Sequence, residues 1–326
     1  LGDSFTPLMF LLFSTVLNIG LDLLFIVSFR WGVAGAAIAT VLAQLLSTVG
    51  CFFYAFSKYP KLRLHREDWA ITRTDLGQHI FQGIPLGLQF SVLAIGIIVM
   101  QSVVVKFDIL DGQMVSNAAQ NGFGAANKLN SALMTSMNGL GTAMTSFAAQ
   151  NLGADNFRRI RKGALQAMWL FLALCVLSMV IGLLSTINGA YLRLFLSADK
   201  ITPETIRYGN SFLYVDLALS IFLAGIFEMR NCVQGIGRPQ FILGGGVAEL
   251  LARVLLCLTL PAAVAGGEVS AAASPMAFYA LCLADPLAWL ASDLVMIFPF
   301  VRNILKMDYR YLYHRASVPA APSEEP

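Results

Sequence analysis

The composition of this 326-residue chain excludes an ordinary soluble protein. It is 57% hydrophobic and 13% charged, with a mean hydropathy of +0.69, whereas soluble domains are about half apolar and a quarter charged. The net charge of +3 reflects membrane topology, so a nucleic-acid partner is not implied. Charges cluster between long apolar runs, and the alternating ten-residue pattern of a membrane barrel is missing. The chain is therefore predicted to be an all-α polytopic membrane protein.

Eight apolar runs are predicted to cross the bilayer as helices. They span about residues 5–29, 33–57, 80–105, 115–149, 164–187, 207–233, 241–265 and 276–304. The distribution of lysine and arginine then sets the orientation. If the chain starts in the cytoplasm, 15 basic residues fall inside and 5 outside. The inside set is Lys58, Lys61, Arg63, Arg66, Arg73, Arg158, Arg159, Arg161, Lys162, Arg230, Arg238, Arg302, Lys306, Arg310 and Arg315.

The first span contains the most informative residue of the chain. Asp22 is a carboxylate in the middle of an apolar run, and Asn18 precedes it by one helical turn on the same face. A charge at that depth costs several kcal/mol unless it faces a polar interior, so it marks a functional site by default. Together the two side chains can offer oxygens to a cation or share a proton. The alternative is a structural hydrogen bond to a neighbouring helix.

The fourth span is unusually rich in amides and glycines. Asn127, Lys128 and Asn130 lie within it, and Glu228 in the sixth span is the first candidate counter-charge for Lys128. Small residues allow helices to pack closely, and amides suit a face that meets water. The pattern predicts either a helix that lines a polar cavity or a structural ion pair. The pairs Gly122/Gly124 and Gly139/Gly141 are interpreted as packing points between helices, since they lack the context of a dinucleotide loop.

The seventh span repeats some features of the first. Pro239 opens it and the i,i+4 pair Glu249/Arg253 follows, just as Pro7 is followed by Asn18 and Asp22. Parallel repeats are a known plan for secondary transporters. Because a single buried charge is costly, Glu249 and Arg253 are interpreted as a self-neutralised structural ion pair.

Motifs for catalysis and for metal binding are missing from the sequence. No nucleotide-binding loop, nucleophile elbow or paired-histidine zinc motif occurs. The five cysteines are scattered without CxxC spacing and are interpreted as small apolar residues. An enzyme is not expected, and neither a cofactor nor a metal site is predicted, apart from a possible Na⁺ at Asp22.

Several stretches of the sequence together match one family of membrane proteins. They are Pro7-x10-Asn18-x3-Asp22, Gly32–Thr40, Gly83-Ile-Pro85-Leu-Gly-Leu-Gln89, Gln150-Asn151-Leu-Gly153-Ala with Arg158–Arg161, and Met229–Gly237. Through these stretches the chain resembles the multidrug and toxic compound extrusion (MATE) family of secondary transporters, and the resemblance extends to about residue 310.

The resemblance implies twelve helices in two lobes, and the eight spans here resemble the fifth to the twelfth. Residues 1–57 would then be an incomplete N-lobe, 58–77 an inter-lobe linker, 78–310 the C-lobe and 311–326 a cytoplasmic tail. Because the chain enters an apolar span at once and lacks an initiator methionine, we expect a reading frame that extends upstream by roughly 120–140 residues. Its first span is expected to contain an acid.

The resemblance also implies a site and a mechanism. Asn18, Asp22 and Thr40 match the coupling-cation residues of the fifth and sixth helices in some members. Other members use acids of the seventh and tenth helices, where this chain has Gln89 and an offset Glu228. The implied activity is antiport: H⁺ or Na⁺ enters and a drug-like, often cationic organic compound leaves. The complete protein is expected to be a monomer in the cytoplasmic membrane of a prokaryote.

Two alternatives to export remain open. A flippase for lipid-linked saccharides would need several buried cations for a pyrophosphate, and the sequence places only Lys128 and Arg253 within spans. A non-transporting membrane scaffold would not need Asp22.

Overall fold

A computed structural model describes residues 5–60, 65 and 72–306 of the chain. The predicted tail 311–326 and most of the predicted linker 58–77 lie outside the described residues. Ten α-helices run through the described part: α1 (Phe5–Asp22), α2 (Gly32–Lys58), α3 (Arg73–Lys106), α4 (Ala118–Gly153), α5 (Phe157–Ser185), α6 (Pro203–Ala218), α7 (Ser220–Gly235), α8 (Pro239–Ala265), α9 (Pro275–Cys282) and α10 (Ala284–Phe300). π-Helical segments extend α1 over Leu23–Ser28 and α10 over Val301–Leu305, and 3₁₀ turns cover Ile187–Leu194 and Ala198–Lys200.

The helices agree with the predicted all-α membrane fold, which is confirmed. Six of the described helical segments are long and apolar enough to cross a membrane, or seven if α6 and α7 form one span with a 52° bend. The bend follows from the single non-helical residue Leu219 between them. Helix α4 has 36 residues, but its amide side chains make it less apolar than these segments.

The chain divides into two compact units at Asp75/Leu76. In the first unit, α1 and α2 pack through a seam of small residues. Gly35, Ala39, Ala43 and Ser47 recur every fourth position on the buried face of α2, which lets two helix backbones approach closely. The Ser47 hydroxyl donates a hydrogen bond to the Phe10 carbonyl at 2.7 Å.

The second unit contains α3 to α10 around one core. At one end, the rings of Phe107, Tyr208 and Phe278 pack edge to face, with Phe278 at 5.1 Å from Phe107 and 4.6 Å from Tyr208 between centroids. These contacts join the end of α3 to α6 and α9. A short antiparallel hairpin, β1 (Ile109–Leu110) and β2 (Gln113–Met114), connects α3 to α4. Its turn residues Asp111 and Gly112 both have positive φ, as the favoured two-residue hairpin turn requires.

Candidate functional site

Two of the three predicted coupling residues, Asn18 and Thr40, contact each other in the first unit. The Asn18 amide donates to the Thr40 hydroxyl at 3.3 Å, and this hydroxyl donates to the Ala36 carbonyl at 3.0 Å. Asp22 lies one turn beyond Asn18 on α1. Its Oδ1 atom is buried and has no hydrogen-bond partner among the described residues. The cluster thus offers a carboxylate, an amide and a hydroxyl along the face between α1 and α2.

The backbone changes its helical form at Asp22. Helix α1 ends at this residue and continues as the π-helical segment Leu23–Ser28. Beyond it, the stacked rings of Phe25 and Trp31 (5.1 Å between centroids) close the turn into α2. π-Helical turns are rare and occur frequently at functional sites. This position agrees with a functional role for Asp22.

A chain of buried polar contacts crosses the second unit. The guanidinium of Arg253 lies 3.0 Å from Glu249 and 2.9 Å from Asp285. Glu249 also binds Arg230 at 3.2 Å. When the amide of Gln89 turns its oxygen toward Arg230, that oxygen accepts hydrogen bonds from Nη1 at 2.8 Å and from Nε at 3.1 Å. Four helices (α3, α7, α8 and α10) are connected by these side chains.

The structure places the predicted pair Glu249/Arg253 in direct contact, but the pair does not stand alone. Each member has a second partner of opposite charge, Arg230 for Glu249 and Asp285 for Arg253. The sequence placed Arg230 among the basic residues of the cytoplasmic segments. Arg230 lies within α7, and its side chain is mostly buried by its contacts with Glu249 and Gln89.

The predicted pairing of Lys128 with Glu228 is wrong. Lys128 is exposed, and its ammonium lies 5.9 Å from the ring centroid of Phe195. Glu228 is fully buried and accepts a hydrogen bond from the Cys232 thiol at 3.2 Å. The two groups face different surroundings, because Lys128 belongs to the outer surface of α4 and Glu228 to the interior side of α7.

The amides of α4 have separate environments. Asn130 is buried and donates a hydrogen bond to the carboxylate of Asp216 on α6, whereas Asn127 is only half-buried. Asp216 is itself fully buried, and its Oδ1 atom has no hydrogen-bond partner among the described residues.

Three buried acids of the second unit were missed in the sequence: Asp216, Asp285 and Asp293. All three lie within predicted spans, so the rule that singled out Asp22 could have identified them as well. Their partners could not be inferred, because a partner on another helix depends on how the helices pack.

Comparison with known proteins identifies the family. The MatE family profile matches residues 96–259, about half of the chain. The chain therefore belongs to the MatE family of multidrug transporters, which confirms the resemblance. It is a multi-pass protein of the bacterial cytoplasmic membrane rather than an enzyme.

One relative is the probable multidrug resistance protein YpnP of Bacillus subtilis (strain 168). It is 31% identical over 244 residues, which is 73% of this chain and 50% of the relative. A second, the probable multidrug resistance protein YoeA of the same strain, is 27% identical over 52% of this chain and 36% of its own length. The chain thus matches half or less of the curated relatives.

The fold is similar to that of solved transporters. A mutant of the Vibrio cholerae MATE transporter VcmN superposes with a TM-score of 0.77 at 17% identity, covering 94% of this chain and 64% of that chain. A MOP superfamily transporter from Pyrococcus furiosus superposes with a TM-score of 0.71 at 19% identity, covering 90% and 62%. At these identities the likeness concerns the fold alone.

Proposed function

We propose that the complete protein exports small organic compounds, often cationic and amphipathic, in exchange for H⁺ or Na⁺. The coupling ion binds at Asp22, with Asn18 and Thr40 as neutral neighbours. The observation that carries this proposal is the buried, unpartnered Oδ1 atom of Asp22 at the point where α1 becomes π-helical. A carboxylate at membrane depth needs a proton or a cation to neutralise it.

The movements of the ion and of the organic substrate are coupled because the two ligands favour different conformational states. A ligand shifts a conformational equilibrium only if its affinity differs between the two states. A proton or Na⁺ on Asp22 removes or compensates one negative charge between α1 and α2, and a state that buries this site more completely gains more from that neutralisation. The organic substrate favours the other state, so the ion gradient can drive its export.

Asp22→Asn tests this coupling role in the complete protein. The amide keeps the shape of the side chain and cannot bind an exchangeable proton, so ion-driven efflux should fall by about 5- to 150-fold, the usual range of coupling between sites. Uptake of ethidium into everted membrane vesicles, in which export runs toward the lumen, measures the change. Undiminished export of ethidium at a normal protein level would reject the coupling role of Asp22.

Two further variants compare the contributions of Asn18 and Thr40 to efflux with that of Asp22. Asn18→Ala and Thr40→Ala should reduce efflux less than Asp22→Asn, because each removes a neutral group and leaves the charge in place. Imposing a pH gradient or a Na⁺ gradient separately in liposomes identifies the coupling ion. A larger loss from Thr40→Ala than from Asp22→Asn would contradict this order.

The charge arrangement does not favour the flippase alternative. Among the described residues, the guanidiniums embedded in the second unit belong to Arg230 and Arg253, and both are bound to carboxylates. Lys128 is at the surface of its helix. A pyrophosphate would have to displace these carboxylates, which are fixed on α8 and α10.

A further inference from the structure

The polar chain of the second unit is balanced in charge without Asp293. Arg230 and Arg253 supply two positive charges, while Glu249 and Asp285 supply two negative charges in direct contact with them. Each guanidinium has a carboxylate, and each carboxylate has a guanidinium. If a further ionised acid interacts with these four side chains, no positive charge among them is left to neutralise that acid.

Asp293 is such an acid. It lies on α10, is 7% exposed, and its Oδ1 atom has no hydrogen-bond partner among the described residues. Both carboxylate oxygens lie 3.0 Å from the position that a Cβ atom on Gly225 would occupy. The carboxylate is therefore held against the backbone of α7, at a glycine that leaves room for it.

Arg230 on α7, the helix against which Asp293 packs, and Glu249 on α8 lie close enough to Asp293 for an electrostatic interaction. Of the other ionisable groups on the described elements packed against α10, Glu204 and Arg207 are exposed, and Tyr208, Tyr214 and Tyr279 are phenols. The rest are engaged elsewhere or are thiols. Glu228 is bonded to Cys232, Asp216 to Asn130, Asp285 and Arg253 to each other, Arg302 lies over Phe298, and Cys257 and Cys282 are the thiols.

Glu249 binds the Arg230 guanidinium, and Asp293 lies against α7, the helix that carries Arg230. This gives two arrangements. With a proton on Asp293, Arg230 stays with Glu249 and Gln89, as the structure shows. With Asp293 ionised, the new charge attracts Arg230 away from these partners. We propose that Asp293 is an exchangeable proton site, and that its protonation state determines whether Arg230 ties α3 to α7 and α8.

The contacts of α3 explain why the protonation state of Asp293 would affect this helix. Gln89 is 3% exposed and packs against Gly246 of α8 while its amide binds Arg230. One side chain therefore connects α3 to both α7 and α8. Further along, Gly96 packs against the Arg253 side chain. Withdrawal of Arg230 removes the hydrogen bonds that join Gln89 of α3 to α7.

A distance measurement between α3 and α8 tests the inference without measuring transport. Spin labels are placed on cysteines at Ile98 and Leu255, both exposed, in the full chain in liposomes. Cys51 is replaced by Ser, and the four buried cysteines are retained. The distance distribution should be narrow at about pH 5 and broader with a shifted mean at about pH 9.

Three variants separate the proton site from its surroundings. Asp293→Asn should give the narrow distribution at both pH values, and Arg230→Gln the broad one at both. Asp199→Asn, a matched change at an exposed carboxylate, should keep the pH response of the parent. An unchanged distribution in the parent, or a pH response that survives in Asp293→Asn, would overturn the proposal. Neither result bears on export through Asp22.

Discussion

Single buried carboxylates in this protein have two different roles. Asp108 is fully buried and accepts hydrogen bonds from the Ser116 hydroxyl and from the backbone N–H groups of Ala119 and Gln120 at the start of α4. A negative charge there satisfies donors that the helix leaves open. Asp22 and Asp293 instead each keep a buried oxygen that has no hydrogen-bond partner among the described residues. The first arrangement fixes structure, and the second leaves room for exchange.

Asp108→Asn should lower stability by about 1–3 kcal/mol. Each carboxylate oxygen accepts from a different backbone N–H at 3.0 Å, and an amide would turn its NH₂ group toward one of them. Thermal unfolding of the purified protein in detergent measures the effect. Asp111→Asn is the matched control, because Asp111 is exposed and Asn tolerates its positive φ. Equal unfolding temperatures for the two variants would contradict the capping role.

Some residues of the candidate sites could be identified from the sequence, and there is a physical reason why the others could not. Asp22 stands out because its own helix provides the apolar context, and Asn18 is its neighbour by helical spacing alone. The partners of Arg230 lie on α3 and α8, so they depend on helix packing that no local pattern encodes. Lys128 was misassigned for the same reason: helical spacing does not show which face of α4 is covered.

At the scale of helices, glycines at crossing points determine how closely α4 approaches its neighbours. A Cβ atom on Gly122 would collide with the Thr205 carbonyl and lie 2.9 Å from the Gly209 nitrogen, both on α6. A Cβ atom on Gly141 would collide with the Asn231 side chain on α7. Gly124 and Gly139 have nothing within 4 Å. In each predicted glycine pair, therefore, only one glycine lies at a packing point between helices, because residues two apart on a helix face different directions.

Gly122→Ala should destabilise the protein by about 1–3 kcal/mol, because α4 and α6 must separate to admit the methyl group. Gly124→Ala should be neutral or slightly stabilising, since it meets open space and alanine favours a helix by about 1 kcal/mol. Both variants make the same chemical change two residues apart. Unfolding temperatures in detergent compare them, and a larger loss from Gly124→Ala would show that the crossing lies elsewhere.

Each predicted span matches a helical segment, although α3 and α5 begin at Arg73 and Phe157, seven residues before their predicted spans. The bend at Leu219 and the π-helical segment after Asp22 lie inside continuous apolar runs, where hydropathy carries no signal for a change of helical form. Both irregularities adjoin buried acids, Asp216 and Asp22. Of these two acids, Asp22 is the one that the proposed coupling mechanism uses.

At the scale of the whole molecule, the two units differ in how they treat charge. The first unit contains one acid within its spans, Asp22, next to neutral polar groups. The helices of the second unit contain two embedded guanidiniums together with five buried or half-buried acids: Asp216, Glu228, Glu249, Asp285 and Asp293. Such a surplus of acids suits protons or cations better than anions. This supports a coupling ion of positive charge in either unit.

The orientation in the membrane gives the last prediction. Segments around Ala154 are expected in the cytoplasm, because four basic residues follow within eight positions, whereas the loop around Gly267 has none and is expected outside. Both positions are exposed, and a Cβ atom on Gly267 meets nothing within 4 Å, so Ala154→Cys and Gly267→Cys should fold normally. In a cysteine-free background, an impermeant maleimide added to intact cells should label only position 267. Permeabilised cells should show labelling at both, which controls for reactivity. Labelling of position 154 in intact cells would reverse the topology, and with it the side from which the ion reaches Asp22.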